Sequence, residues 1–544
     1  MATTIEAATI DSLPNEVLLI IFHWIKVDDL KGDDYHGPPR CAYLSHVSQR
    51  WRRLAIAYSQ LWDHWPRYDT ALAWTETCCE RSANTSLALC FVVTSQATQR
   101  MTEAMNLAAA RISRAKVISV SPGPANSYGH LYIFSGDTSA GSQPILRSLS
   151  TLSFDDAPLL ESISLKNAHG MVLLAPQATI NLFSVPQPPR LQRLSIRGYS
   201  VSLSNSIQLD TLRNLDIHNA SAWRTIDEMI DVLKKVPNIE ELNYMYNSSE
   251  IMIRHELDRP PTSPSTTHHI RCVDLPRLRR LILPRTGEFK PAAMIFIYCS
   301  LAPRTALCLE ADEVYDDWGA HKDLYARALR HHFSAAIAAN QSYDIVSLDD
   351  RIIKPDISRQ TSPSTTLPSE LSFSILHAQH NAAHSENVLE SSCKLYFSLP
   401  IFAGTHELHV ARDRQHCYTF LDHLPAMPAV RTLVLQGDAV MDFTAGYLAS
   451  CGTRFPELEV LRLADFDCHD TAGSIPFSEV RTITADSVVE ALTEAWSTSE
   501  MVTWRTLEFE RFRYADYIAE CIRKEPELRA FNERVEIRCI DCYE

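Results

Sequence analysis

Glycine is scarce in this chain. Only 15 of its 544 residues are glycine, against a usual share of about 7%, so phosphate-cradling loops have little to be built from. Neither G-x-x-x-x-G-K-[ST] nor G-x-G-x-x-G occurs. Basic charge is short as well: 51 Lys and Arg against 66 Asp and Glu leave a formal net charge of −15, which repels phosphate backbones and argues against nucleic acid as a partner. No run approaches the roughly 18 to 20 apolar residues that span a bilayer, and MATTIEAATIDSLPNEV lacks the basic and apolar regions of a secretory leader. The expectation is cytoplasm and/or nucleus, with no membrane. Fourteen Cys are too dilute for a disulfide-stapled scaffold. The G-x-S-x-G elbow and H-E-x-x-H are missing too, so neither a catalytic group nor a cofactor is expected.

What is present is core material: 45% of the residues are apolar and 22% charged, the make-up of a globular protein. The length calls for several domains or one extended array. Residues 10–26, IDSLPNEVLLIIFHWIK, read as a helix with Asp11 or Ser12 as N-cap, Pro14 at its start and Glu16 in its first turn. Val17, Leu18, Ile21, Phe22 and Ile25 form one apolar stripe, which Ile20 and Trp24 extend toward a second face. A second helical pattern runs through Leu44, Val47, Trp51, Leu54 and Tyr58, and Leu61 and Trp62 close the unit.

These strings, LPNEVLLIIFHWI and then LSHVSQRWRRLAIAYSQLW, resemble an F-box, with KGDDYHGPPR as a longer connection than usual. The resemblance covers about 50 residues, and an ordinary helical hairpin is the bland alternative. It implies binding of a Skp-type adaptor and, through it, a cullin. Carried over residue by residue, it places Leu13, Pro14, Val17, Leu18, Ile21, Phe22, Val47, Trp51, Leu54, Leu61 and Trp62 at the adaptor or in a small core shared with it. The sequence does not divide them between the two. So small a unit buries its apolar residues poorly alone, and a partner can supply the missing half of the core.

From about residue 146 a Pro-x-[LIV]-x-x-[LI]-x-[LIY] unit returns at Pro158, Pro189, Pro237, Pro276, Pro428 and Pro456. About one such match would arise by chance, so six are a signal. The final L-x-L reads as a short strand, with the Pro ending a preceding helix. Amphipathic helices lie between, one of them marked by Trp223, Ile226, Met229, Ile230, Leu233 and Val236. The pattern resembles degenerate leucine-rich repeats, without a regular Asn after the core, and F-box plus irregular repeats resembles large fungal families. The expected fold class is α/β: a small all-helical F-box at residues 10–65, linking helices and first strands at 66–145, and an irregular solenoid at 146–544, a curved parallel sheet with outer helices. Pro/Ser/Thr-rich surface loops are expected near 259–267 and 360–369.

His377, His380 and His384 would share one face if they lay on a helix, yet scattered surface histidines are the commoner reading, and no metal is expected. Cys539 and Cys542 form a lone C-x-x-C. The expected function is a substrate-recognition subunit of a Skp–cullin–F-box type ubiquitin ligase, itself no enzyme. The alternative is a non-degradative interaction scaffold of the same architecture. An unknown client protein is expected on the outward residues of the repeat strands: Arg193, Arg197, Asp216, His218, Arg280 and Arg462.

Overall fold

In the computed structural model the described residues are 10–31, 40–65, 72–93, 99–122, 157–166, 180–181, 188–199, 201–203, 209–220, 222–246, 261–284, 288–311, 313–314, 319–349, 352–356, 366–375, 377–378, 382–412, 424–437, 440, 453–465, 489–494, 504–512 and 515–542. The chain divides into two compact units, Met1–His268 and His269–Glu544. That division falls inside the stretch expected as one repeat domain.

The first unit opens with α1 (Asn15–Lys31), α2 (Arg40–Val47) and α3 (Gln49–Ala57). α1 starts later than its expected cap, because Ile10–Ser12 forms a separate 3-10 turn. The expected second helix is two helices. Ser48 is extended, and its Oγ accepts from the Trp51 amide at 3.2 Å, so the hydroxyl caps α3 and breaks the run. Phe22 packs on Trp51 with ring centroids 5.1 Å apart, and the Trp62 indole donates to the Ala55 carbonyl at 2.8 Å. α4 (Leu72–Arg81) and α5 (Gln99–Ala109) follow among the first strands.

The strands of this unit are β1 (His64–Trp65), β2 (Leu87–Val93), β3 (Ala115–Pro122), β4 (Ser162–Lys166), β5 (Ile180–Asn181), β6 (Arg193–Arg197), β7 (Val201–Ser202), β8 (Asn214–His218) and β9 (Glu241–Met245). β1, β2, β3, β4, β6, β8 and β9 pair in chain order, every pair parallel, and β5 pairs β7 apart from them. Alternation sets their faces: in β6 and β8, Leu194, Ile196, Leu215 and Ile217 are buried and their neighbours are not.

The second unit holds β10 (Val273–Leu275), β11 (Arg280–Leu283), β12 (Cys299–Leu301), β13 (Ala306–Leu309), β14 (Glu313–Val314), β15 (Ile345–Asp349), β16 (Ile352–Asp356), β17 (Leu371–Ser374), β18 (His377–Ala378), β19 (Glu407–Arg412), β20 (Thr432–Gly437), β21 (Val460–Ala464), β22 (Thr506–Glu510) and β23 (Glu536–Ile540). Its main ladder runs β11, β13, β17, β16, β15, β19, β20, β21, β22, β23. Here the all-parallel expectation needs correction. β16 is antiparallel to both β15 and β17, since only two residues separate β15 from β16, room for a hairpin and not for a crossover. The helix Phe289–Tyr298 is buried almost all round, which suits its nearly unbroken apolar sequence. The molecule is thus mixed α/β with parallel-dominated ladders.

The proline of the recurring unit opens a turn as well as following a helix, as Pro237 does after Ile226–Lys234. Pro158, Pro189, Pro237, Pro276, Pro428 and Pro456 each sit second in a four-residue turn whose fourth residue donates to the carbonyl of the first, as in Leu160 to Ala157, Leu191 to Pro188 and Leu458 to Phe455 at 3.0–3.2 Å. Fixed φ suits that position. After the strand, the next residue often turns left-handed: Gly198 (φ 72), Asn219 (φ 48), Asp465 (φ 52), Arg511 (φ 46) and Asp541 (φ 49).

Candidate functional site

Two surfaces deserve a chemical reading. The first is on the N-terminal helices. Among the described residues the large apolar side chains left exposed are Ile10, Val17, Ile20, Trp24, Tyr43, Val47, Ile56 and Tyr517. All but Tyr517 lie within residues 10–56. Val17, Ile20 and Trp24 are spaced i, i+3, i+7 along one stripe of α1, and Trp24 is 64% exposed. Tyr43 and Val47 are spaced i, i+4 on α2.

The residues expected at the adaptor divide clearly. Leu18, Phe22, Trp51, Leu61 and Trp62 are buried in the chain's own core. Val17, Pro14 and Val47 are exposed, and Leu13, Ile21 and Leu54 are half-buried. Ile10, Tyr43 and Ile56 are exposed as well, although the apolar stripes of the sequence do not single them out. Lys26 ties α1 to the end of the unit, donating to the Gln60 carbonyl at 2.6 Å and to Asp63 Oδ1 at 2.5 Å. Burial raises the Asp63 carboxyl above its ordinary value, outweighing the Lys26 ammonium that lowers it.

The second surface is the outward face of the ladders. Register aligns Cys90, Ser119, Ser164, Ser195, Asp216 and Asn243 in one row across the first unit. Asp216 is its charged centre. The Ser195 hydroxyl donates to Oδ2 at 2.7 Å, Arg197 Nη2 lies 3.1 Å from the same oxygen, His218 Nε2 is 2.6 Å from Oδ1, and Asn243 Nδ2 donates to Oδ1 at 2.9 Å. Burial opposes its ionisation, but His218, Ser195 and Arg197 outweigh that cost and hold the carboxyl down at about 2. At the row's other end Cys90 Sγ lies 3.2 Å from His64 Nε2, a contact with no sequence signal.

Arg197, Asp216 and His218 are therefore brought together, with both cationic-type side chains turned onto the Asp216 carboxylate. Arg193, on the same strand, is exposed and makes no ion pair among the described residues. Arg280 and Arg462 belong to the second unit, on β11 and β21, seven strand steps apart. That is about 34 Å at about 4.8 Å per step, so one small ligand cannot touch both. Arg280 pairs with Glu370 at 2.6 Å, and Arg462 with Glu508 at 2.8 Å and Glu510 at 3.4 Å.

His377 lies in a strand and His384 in the helix Ala382–Phe397, so no single helix face carries them; His380 lies outside the described residues. Burial pushes the Cys539 thiol up to about 12, with Asp516 adding to the shift, and Cys542 donates to the Phe509 carbonyl at 3.1 Å. Among the described residues no group of three or more His, Cys, Asp or Glu is placed to hold a metal ion, and no helix is long and apolar enough to cross a membrane.

No protein-family model matches the sequence, and no curated protein matches it. Among solved structures, a chain of the Rad7 and Elc1 complex in yeast is similar at 11% identity with a TM-score of 0.23, over 89% of this chain and 100% of that one. A likeness that low carries no inference.

Proposed function

We propose that the protein is a non-catalytic substrate-recognition subunit of a Skp–cullin–F-box type ubiquitin ligase, acting in the cytoplasm or nucleus. In this reading the helices of residues 10–65 are an F-box-like domain, and the ladders are degenerate leucine-rich repeats that hold a client. One observation carries it: the exposed large apolar side chains of the described residues gather in residues 10–56, on the segment whose sequence resembles an F-box. Fully burying one such side chain is worth about 1.5–3 kcal/mol. A partner covering Val17, Ile20, Trp24, Tyr43, Val47 and Ile56 therefore gains ample driving force, minus the cost of association. The chain then works by proximity, raising the effective concentration of a client lysine near a charged conjugating enzyme while breaking no bond itself.

Affinity purification from proteasome-inhibited cells tests the reading. The intact chain should recover a Skp-type adaptor and a cullin, and Ile20→Asp with Trp24→Asp should lose both while retaining client proteins. Adaptor recovery unaffected by the double substitution would sink it. Recovery of adaptor without cullin would favour the scaffold alternative.

A further inference from the structure

The Pro/Ser/Thr-rich insert is held down at one end. Residues 261–268 adopt neither helix nor strand. Three of them nevertheless converge on a single carboxylate 38 to 41 positions earlier: Asp227 Oδ1 accepts from Ser265 Oγ at 2.5 Å and Thr267 Oγ1 at 3.0 Å, and lies 3.0 Å from His268 Nδ1. Thr267 Oγ1 is itself 2.9 Å from that imidazole nitrogen.

Asp227 is in the first turn of the helix Ile226–Lys234, whose start is capped by other groups. Thr225 Oγ1 accepts from the Glu228 amide at 3.1 Å, and Glu228 Oε2 accepts from the Arg224 amide at 2.6 Å, a variant of the capping box that reaches one residue further back. The carboxylate of Asp227 is thus left to serve the insert. The Ser265 hydroxyl, then His268, hold its carboxyl below the ordinary value.

We propose that Thr267 is a phosphorylation site that unlatches this insert from Asp227. Thr267 is exposed and the Asp227 side chain is 43% exposed, so the contact opens without disturbing a core and the irregular backbone can enter a kinase cleft. The kinase transfers the terminal phosphoryl group of a nucleoside triphosphate to Thr267 Oγ1. The O–H bond breaks, its proton leaves to solvent, and a nucleoside diphosphate departs. The modified oxygen can no longer donate to Asp227, and a group of charge near −2 now faces the carboxylate. His268, beside both, is drawn to the phosphate, which takes a second contact from Asp227. The Ser265 contact with the same carboxylate is strained by that repulsion. Release is independent of the proposed ligase role.

The full chain carrying phosphothreonine at 267 should be cut by subtilisin within residues 259–270 at least about tenfold faster than the unmodified chain, as expected when a closed segment becomes predominantly open. Asp227→Ala without phosphate should show a similar acceleration. In Asp227→Asn the amide can accept from Ser265 and donate to the phosphate, so phosphorylation should change the rate by no more than about twofold. An unchanged or slower cleavage of the phosphorylated chain, or equal acceleration with Asp227 and with Asn at that position, overturns the proposal. Adaptor and client capture are not part of the readout, so failure of the ligase reading leaves this test intact.

Discussion

Glu508 is only 5% exposed, yet it sits on the outward side of β22, between Arg462 Nε at 2.8 Å and Arg538 Nη1 at 3.5 Å. Removing a buried carboxylate leaves its cationic partners uncompensated at about 3–5 kcal/mol, less where those partners reach solvent, as both arginines do here. Glu508→Ala should therefore destabilise the protein by about 1–3 kcal/mol in urea unfolding; a change under about 0.5 kcal/mol would show the pairing to be idle. His332 is a different kind of buried group. It packs on Phe333 and Phe296 with centroids 4.8 and 6.0 Å away. Burial, then the charges of Arg271 and His331, lower it from 6.5 to about 3. The unfolded chain takes up this proton below about pH 6.5 and the folded chain does not until about pH 3. Stability is therefore full above pH 6.5 and declines across that window as pH falls. His332→Phe should flatten the decline, measured as denaturation midpoints between pH 7 and 4. An identical pH slope in the variant would contradict the assignment.

At the scale of elements the repeating unit is a turn, a strand and a left-handed exit. The amide of the exit residue continues the ladder: Gly198 donates to His218 at 2.9 Å, Asn219 to Met245 at 2.7 Å, Asp465 to Glu510 and Arg511 to Ile540 at 3.0 Å. Conformation matters there more than side-chain identity, which is why Gly, Asn, Asp and Arg can all fill it. Arg511 is the least suited to positive φ, and its guanidinium forms a forked pair with Asp465 at 2.5 and 2.8 Å. Gly437, the last residue of β20, has a similar backbone with φ 58, and among the described residues nothing lies within 4 Å of where its Cβ would stand. Gly437→Ala therefore isolates the backbone term and should cost about 1–2 kcal/mol, with Gly437→Asn costing less. Thermal unfolding of the pair checks the order; equal midpoints would remove the left-handed requirement.

Across the whole molecule, apolar exposure is uneven while charge is locally balanced. The formal charge of −15 does not appear as a single-sign stripe on the ladders, where Arg197, Arg280 and Arg462 are all met by carboxylates. The apolar side chains left exposed among the described residues concentrate at 10–56. A dye that reports exposed apolar surface should accordingly lose more than half of its fluorescence on the Ile20→Asp, Trp24→Asp variant, while the circular dichroism of the chain stays unchanged. Retained fluorescence would place the main apolar patch elsewhere.

Local chemistry was legible in the sequence. Alternation marked the strands of the six proline-led units because the side-chain period of two admits one burial pattern, whereas the turn made by each proline shows only in the backbone hydrogen bonds. The strands at Leu307, Val346, Leu408 and Leu507 carry the same alternating apolar pair without that proline. Apolar spacing located α1 and the helix Ile226–Lys234, and it placed Leu18, Phe22, Trp51, Leu61 and Trp62 in one larger set with Val17 and Val47. It could not say which of the set face inward, since that depends on where α2 and α3 fall around α1. Only the tertiary structure decided that these five form the core while Val17, Ile20, Trp24 and Val47 remain outside. The ion-pairing of the outward arginines was hidden for the same reason. Arg280 and Glu370 are 90 positions apart, and their partnership exists only because β17 inserts beside β13. Periodicity is a property of one segment, whereas a neighbour across a ladder is set by register and strand order, which come from the packing of the whole chain.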